Sequence, residues 1–206
     1  MEDVLDVYHR PYNPLFPVVC MDESPKQIIG EVREAIPMAP GRVRKVDDEY
    51  ERKGTAELLL AIEPLTVFLR VDVLERRTKC DWARFIKNLV DKNYPSASKI
   101  VLIMDNLNTH TIESLYETFE PQEAKRIADR LEIHYTPKHG SWLNVAEIGF
   151  SLLNRQCLPD RVGSFDLLAH SVAAYANKRN AEHRVVEWQF TTEAARTKLR
   201  HLYPVL

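Results

Sequence analysis

The sequence predicts an α/β domain, a mixed sheet with helices on its faces. Three observations lead there. Two apolar runs, VVCM at Val18 to Met21 and IVLIM within Lys99 to Met104, are too short for helices, and each stops at an aspartate. Strand-like and helix-like periods alternate in the order β, long excursion, β, β, α, β, α, β, α, α. The chain has 206 residues and is 45% hydrophobic, enough for one well-packed core.

The elements follow in order. Residues 1–17 hold three prolines and end in PLFP, so they predict an extended lead-in. Val18 to Met21 is a buried strand. Residues 23–54 carry Pro25, Pro37, Pro40 and Gly41 and then GRVRKVDDEYERKG, which predicts a long loop with at most short strands in it. Thr55 to Ile62 and Thr66 to Val71 predict an antiparallel hairpin. Cys80 to Lys92 places Trp82, Phe85, Ile86 and Leu89 at helical spacing. IVLIM is continuous enough for a strand covered on both faces. Helices are expected over Ile112 to Phe119 and Pro121 to Leu131, a short strand over Ile133 to Thr136, and helices over Leu143 to Asn154 and Phe165 to Lys178. Residues 18–180 form the expected domain, and 181–206 a helical tail with its helix over Thr192 to Leu202.

Several classes are disfavoured. No run approaches the ~18 apolar residues of a membrane span, and the first twenty residues lack a secretory pattern. Cys20, Cys80 and Cys157 are far apart and odd in number, so free thiols in a reducing cytoplasm are expected. The formal net charge is −2, low for a self-sufficient nucleic-acid binder. Basic residues are nevertheless clustered, at Arg42, Arg44 and Lys45, at Arg52-Lys53, at Arg76-Arg77-Thr-Lys79 and at Lys178-Arg179.

The aspartates ending the two apolar strands carry the functional argument. In open α/β sheets ligands bind beyond the carboxyl ends of the strands. If the strands are parallel neighbours, Asp22 and Asp105 enter one crevice. Two carboxylates that close repel unless a cation or a proton intervenes, and hard oxygen donors favour Mg²⁺ or Mn²⁺. Adjacent strand residues face opposite ways, so Asp22 rather than Glu23 is the expected ligand. A third acid, Glu147, lies in PKHGSWLNVAEIGFSLLNR. On a helix, Val145, Ile148 and Leu152 make the expected inner stripe. Asn144, Glu147, Ser151 and Asn154 make a polar stripe whose one acid has no basic partner.

VVCMDES, LIMDNLNTH and HGSWLNVAE together resemble the three catalytic motifs of DDE transposases, in the mariner-related group of bacterial insertion sequences. The resemblance runs from about Val18 to Arg179. It implies a ribonuclease H-like fold, with Asp22, Asp105 and Glu147 holding two Mg²⁺ or Mn²⁺ ions for DNA strand cleavage and strand transfer. Double-stranded DNA, as transposon ends and target, is the implied partner, and a homodimer the implied active form. Mariner proteins proper end the triad in Asp, whereas this chain has Glu. The group usually carries an N-terminal helix-turn-helix region, and nothing of that kind precedes Val18.

Around the triad, Asn106, His110, Lys138, His139, Trp142 and Asn144 are candidates to support the acids, touch DNA or cap the catalytic helix. Arg42, Arg44 and Lys45 are candidates for DNA phosphates, because in this group the loop after the first catalytic strand often touches DNA or the partner subunit. Three readings compete. A ribonuclease H would ordinarily add an acid on the first helix, where Asp81 and Asp91 are available. A phosphatase would show Asp-x-Asp where this chain has Asp-Glu-Ser. The third is an inactive, domesticated transposase fragment that only binds partners.

Overall fold

The computed structural model describes all residues except Glu34, Val67, Asn108, Thr109, His139, Pro159, Asp160, 183–185, Glu187 and 204–206. Five strands form one sheet: β1 (Val18–Glu31), β2 (Tyr50–Ile62), β3 (Leu69–Leu74), β4 (Ile100–Met104) and β5 (Leu131–Tyr135). Their order is β3-β2-β1-β4-β5. The β1–β2 and β2–β3 pairs are antiparallel, and β1–β4 and β4–β5 are parallel. The expected mixed sheet is therefore present and β1 and β4 are parallel neighbours, but β1 does not stop at Asp22 as expected: it runs on to Glu31, past its last residue paired with β4.

Period-two alternation sorts the side chains into two apolar layers. Cys20, Val101 and Ile103 face a layer with α1 (Glu2–Tyr8), α5 (Val145–Gln156), α6 (Phe165–Ala181) and α7 (Thr192–Lys198). Val19, Met21, Ile100, Leu102 and Met104 face the other layer, with α2 (Lys79–Asn88), α3 (Ile112–Thr118) and α4 (Pro121–Ala128). Every residue of IVLIM is at most 1% exposed, as a strand covered on both faces requires.

Three expectations are corrected. The lead-in is not wholly extended, because Glu2–Tyr8 is helical and buries Val4 and Leu5 completely. Its prolines, Pro11, Pro14 and Pro17, all follow the helix and so do not interrupt it. The 23–54 loop is mostly a long antiparallel arm, since β1 continues to Glu31 and β2 begins at Tyr50, with a bulge between Ile28 and Ile29. Pro25 sits within β1 and faces Glu57. At the arm's tip, two bridges pair Ile36 with Lys45 and Ala39 with Arg42. Finally, the helix expected from Leu143 begins at Val145, after a 3₁₀ turn over Ser141–Leu143.

Smaller differences lie at element ends. α2 runs on as a π-helical turn over Leu89–Asn93. Asn180, at the end of α6, accepts from Leu69 N (2.7 Å) and donates to Leu69 O (2.9 Å), satisfying both backbone groups of one β3 residue. The tail packs back on α1. Arg196 makes two 2.7 Å bonds to Glu2, and Thr192 bonds Asp6 at 2.7 Å. No described helix is long and apolar enough to cross a membrane.

Candidate active site

β1 and β4 are in parallel register at Cys20 and Ile103, so two residues further on Asp22 and Asp105 stand side by side. Both belong to the sheet face that α5 covers. Glu147 lies in the first turn of α5, exposed beside them. Burial pushes the Asp22 carboxyl up to about 6; a backbone hydrogen bond from Glu23 opposes this, and the charges of Asp105 and Glu147 add to the rise. The three acids thus influence one another electrostatically, and the nearby His110 partly offsets the rise at Asp22.

Asp22, 9% exposed, is held from two sides. Its Oδ1 accepts from Glu23 N at 2.8 Å, and its Oδ2 from Asn144 Nδ2 at 3.3 Å. Asn144 Nδ2 also donates to Met21 O (2.8 Å), while Asn144 Oδ1 caps α5 by accepting from Ala146 N (3.2 Å). One buried amide therefore ties the N-terminus of α5 to β1 at Met21 and Asp22. The lead-in helix adds a second tie: Tyr8 Oη donates to Leu143 O (2.7 Å) and accepts from Val145 N (3.2 Å).

α5 buries Val145, Ala146, Gly149, Phe150 and Leu153. The expected stripe of Val145, Ile148 and Leu152 is therefore rotated, and Ile148 is 39% exposed. Gly149 explains the rotation. A Cβ there would sit 3.0 Å from Leu60 Cδ2, so any larger residue would have to displace the Leu60 side chain or lift the helix from β2.

His110 has a place that sequence spacing did not specify. It is 1% exposed, with Nδ1 2.7 Å from Asp105 Oδ1 and Nε2 3.4 Å from Glu23 Oε2. Burial alone would lower its pKa, but the hydrogen bonds and charges of Asp105 and Glu23 outweigh burial and raise it to about 9. Glu23 points away from Asp22 into the opposite layer, as strand parity requires, and pairs with Arg77 at 2.7 Å. Sequence reasoning set Glu23 aside as a ligand and missed its role beside His110. The signal was available: a glutamate on the apolar face of a strand needs a buried partner.

The other candidates separate. Asn106 and Lys138, both exposed, line a cavity of about 670 Å³ beyond the ends of β4 and β5, together with Asp105, Leu107, Thr136, Pro137 and Ser141. Trp142 is 44% exposed and packs edge-on against Phe190 at 5.7 Å, on the surface rather than in the core. Arg42, Arg44 and Lys45 are exposed on the arm, away from the triad in the chain's path. Arg179 is only 7% exposed and, with Lys178, lines a separate cavity of about 610 Å³ between the ends of α5 and α6. His139 lies outside the described residues.

The donor chemistry suits a divalent cation. No Lys or Arg pairs with Asp22, Asp105 or Glu147 among the described residues, and the charges of Asp105 and Glu147 both raise Asp22. Among the described residues no three His, Cys, Asp or Glu side chains are already gathered as a finished ligand set. Asp105 is drawn toward His110 and Asp22 toward Asn144.

A mixed 3-2-1-4-5 sheet, with Asp22 in β1, Asp105 just past the parallel β4 and Glu147 on a covering helix, is a ribonuclease H-like fold. Residues 17–168 match the family described as DDE superfamily endonuclease, and the chain belongs to it. No curated protein matches the chain. Among solved structures, the mariner Mos1 paired end complex with Mg aligns with a TM-score of 0.59 at 12% identity, over 88% of this chain and 53% of that one. The Mos1 strand transfer complex aligns at 0.54 and 14% identity, over 87% and 58%. A pre-cleavage Mos1 transpososome aligns at 0.53 and 14%, over 87% and 59%. At these identities the likeness is one of fold, and this chain spans little more than half the length of those structures.

Proposed function

We propose that this chain is the catalytic domain of a DNA transposase, with Asp22, Asp105 and Glu147 as the acids that hold two divalent cations, Mg²⁺ or Mn²⁺. The carrying observation is the buried Asp22 carboxyl, pushed up to about 6 by burial and by its neighbours Asp105 and Glu147. A cation would relieve that repulsion. When bound, such ions activate a water or a 3′-hydroxyl and stabilise the leaving oxygen of a phosphodiester.

The protein's own groups set the geometry. Asn144 and the Glu23 amide orient Asp22; His110 orients Asp105; and α5, anchored by Asn144 and Tyr8, presents Glu147. Asn106 and Lys138 lie where a DNA backbone approaching Asp105 would pass. Arg42, Arg44 and Lys45 reach phosphates from the arm, and His139 and Trp142 flank the third acid. The substrate is double-stranded DNA, as transposon ends and target, and the active form a homodimer in the cytoplasm. The solved Mos1 paired end complexes with Mn and Mg support a divalent cation, and the fold is also shared with a Mos1 strand transfer complex.

A ribonuclease H reading is less favoured. The two acids of the α2 region are already engaged, Asp81 with the capping Thr78 and Asp91 with Lys87 and Arg126. Both lie on the layer opposite the triad. The test compares Mn²⁺-dependent cleavage of duplex DNA and of an RNA–DNA hybrid. Cleavage of duplex that is lost in Asp105→Asn supports the proposal. Cleavage of the hybrid alone, or an unimpaired Asp105→Asn, overturns it.

A further inference from the structure

Glu23 and His110 form a connection across the end of the sheet. Glu23 has a side chain only 3% exposed, yet each of its oxygens has its own nitrogen partner: Oε1 lies 2.7 Å from Arg77 and Oε2 3.4 Å from His110 Nε2. His110 turns its other nitrogen to Asp105 Oδ1 at 2.7 Å, and its ring stacks on Trp82 at 6.0 Å and 24°. The ring is thus clamped in plane by an indole and at both nitrogens by carboxylates. Both ring nitrogens are thus committed to carboxylates, the closer contact to Asp105 and the longer one to Glu23. No other side chain hydrogen-bonds Asp105 among the described residues.

We propose that Glu23 is a positioning residue: acting through His110, it fixes Asp105 with Oδ1 engaged and Oδ2 left to take a divalent cation. The inference rests on the reading of Asp105 as a metal ligand. Partners behind a ligating group commonly set its orientation, and their loss costs about 10–100-fold in metal affinity. A plain surface ion pair does not account for the arrangement. Arg77 is half-exposed and contributes little to stability there, whereas Glu23 and His110 are buried and lead to one of the three acids.

The experiment measures Mn²⁺ affinity of the whole chain by calorimetry, for the wild type and for Glu23→Gln, Glu57→Gln and Asp105→Asn. Glu57 faces the same layer, opposite Pro25, and serves as the control for simple loss of a nearby negative charge. Glu23→Gln is expected to weaken binding about tenfold, Glu57→Gln to leave it unchanged, and Asp105→Asn to abolish the tight site. Wild-type affinity in Glu23→Gln, or equal loss in Glu57→Gln, overturns the proposal while the metal site stands. Unchanged affinity in Asp105→Asn overturns the site reading itself, and the proposal with it. A second measurement needs no variant: Mg²⁺ added to the wild type should shift the His110 ring N–H resonances. Unmoved resonances overturn the proposal.

Discussion

Asn144 Nδ2 lies 2.8 Å from the backbone oxygen of Met21 and 3.3 Å from Oδ2 of Asp22, joining the N-terminus of α5 to β1. The same side chain caps α5 through Ala146 N. Replacement by Ala removes the cap and leaves buried acceptors unpaired, at a cost of about 1–3 kcal/mol. Asn144→Asp keeps the capping oxygen but loses the donor and adds a fourth negative charge beside Asp22. Chemical denaturation and Mn²⁺-dependent nicking, measured on both variants, should separate the two effects. Asn144→Asp is expected to unfold near the wild-type midpoint or below it, yet to nick much more slowly.

The pH dependence of the metal-free protein has a definite sign. Asp22 has a folded pKa of about 6, above the ordinary carboxylate value of ~3.9. Between those values the folded state holds the extra proton, so this group's contribution falls as pH rises from about 4 to 6, by about 2–3 kcal/mol. His110 acts in a later window. Its folded pKa of about 9 means that its contribution, full below ~6.5, is lost as pH rises through 9. Asp22→Asn should therefore be more thermostable than the wild type at pH 7 without metal and no more stable at pH 4. Thermal melts at the two pH values check this, and a Tm gain of equal size at both would count against it.

Gly149 lets α5 lie against Leu60, and through α5 it sets the place of Glu147. Gly149→Val puts branched carbons where even a Cβ is 3.0 Å from Leu60 Cδ2. The expected cost is about 1–3 kcal/mol of overpacking, together with reduced nicking as Glu147 moves outward. Gly149→Ala should be milder, because alanine's helix propensity, better by ~1 kcal/mol, offsets part of the crowding. Melts of the two variants alongside activity provide the comparison.

DNA binding by the isolated chain should be salt-sensitive and blind to sequence. The net charge of −2 leaves affinity to local clusters, and the arm's Arg42, Arg44 and Lys45 are fully available. If each neutralises one phosphate, changing all three to Ala should reduce the slope of log K against log salt by about 2.7. Phosphate contacts carry no base code. Titrations of a transposon end and of random duplex at several salt concentrations should therefore give curves within about tenfold of each other, near the ~10⁻⁴–10⁻⁶ M of non-specific complexes. An unchanged slope in the triple variant would show that the arm does not touch DNA.

The legible parts of the fold were those with strong local grammar. VVCMD and IVLIMD announced two strands and their acids, and the parallel pairing of β1 with β4 brings Asp22 and Asp105 together as that grammar implied. The HGSWLNVAE motif pointed to Glu147. What sequence reasoning missed depends on tertiary contacts. α1 is a seven-residue helix, too short to persist alone, and it is held by burial of Val4 and Leu5 and by the Tyr8 hydroxyl. The arm reads as loop because charge and proline dominate its composition, yet backbone pairing from Cys20 to Glu31 overrides that bias. The inner face of α5 was misjudged because Gly149 and Phe150 shift it, and a glycine gives no hydrophobic signal. Glu23 and His110 came together only through the turn that follows β4.

The central claim is that Asp22, Asp105 and Glu147 jointly bind divalent cations, and a crystal soaked in Mn²⁺ tests it most directly through anomalous scattering. The account predicts strong peaks among the three carboxylates, with Mg²⁺ at about 2.0–2.1 Å from their oxygens in a parallel soak. Asp105 Oδ1 should stay on His110. Ordered ions bound elsewhere, or a site formed without one of the three acids in a protein that still cuts DNA, would contradict it.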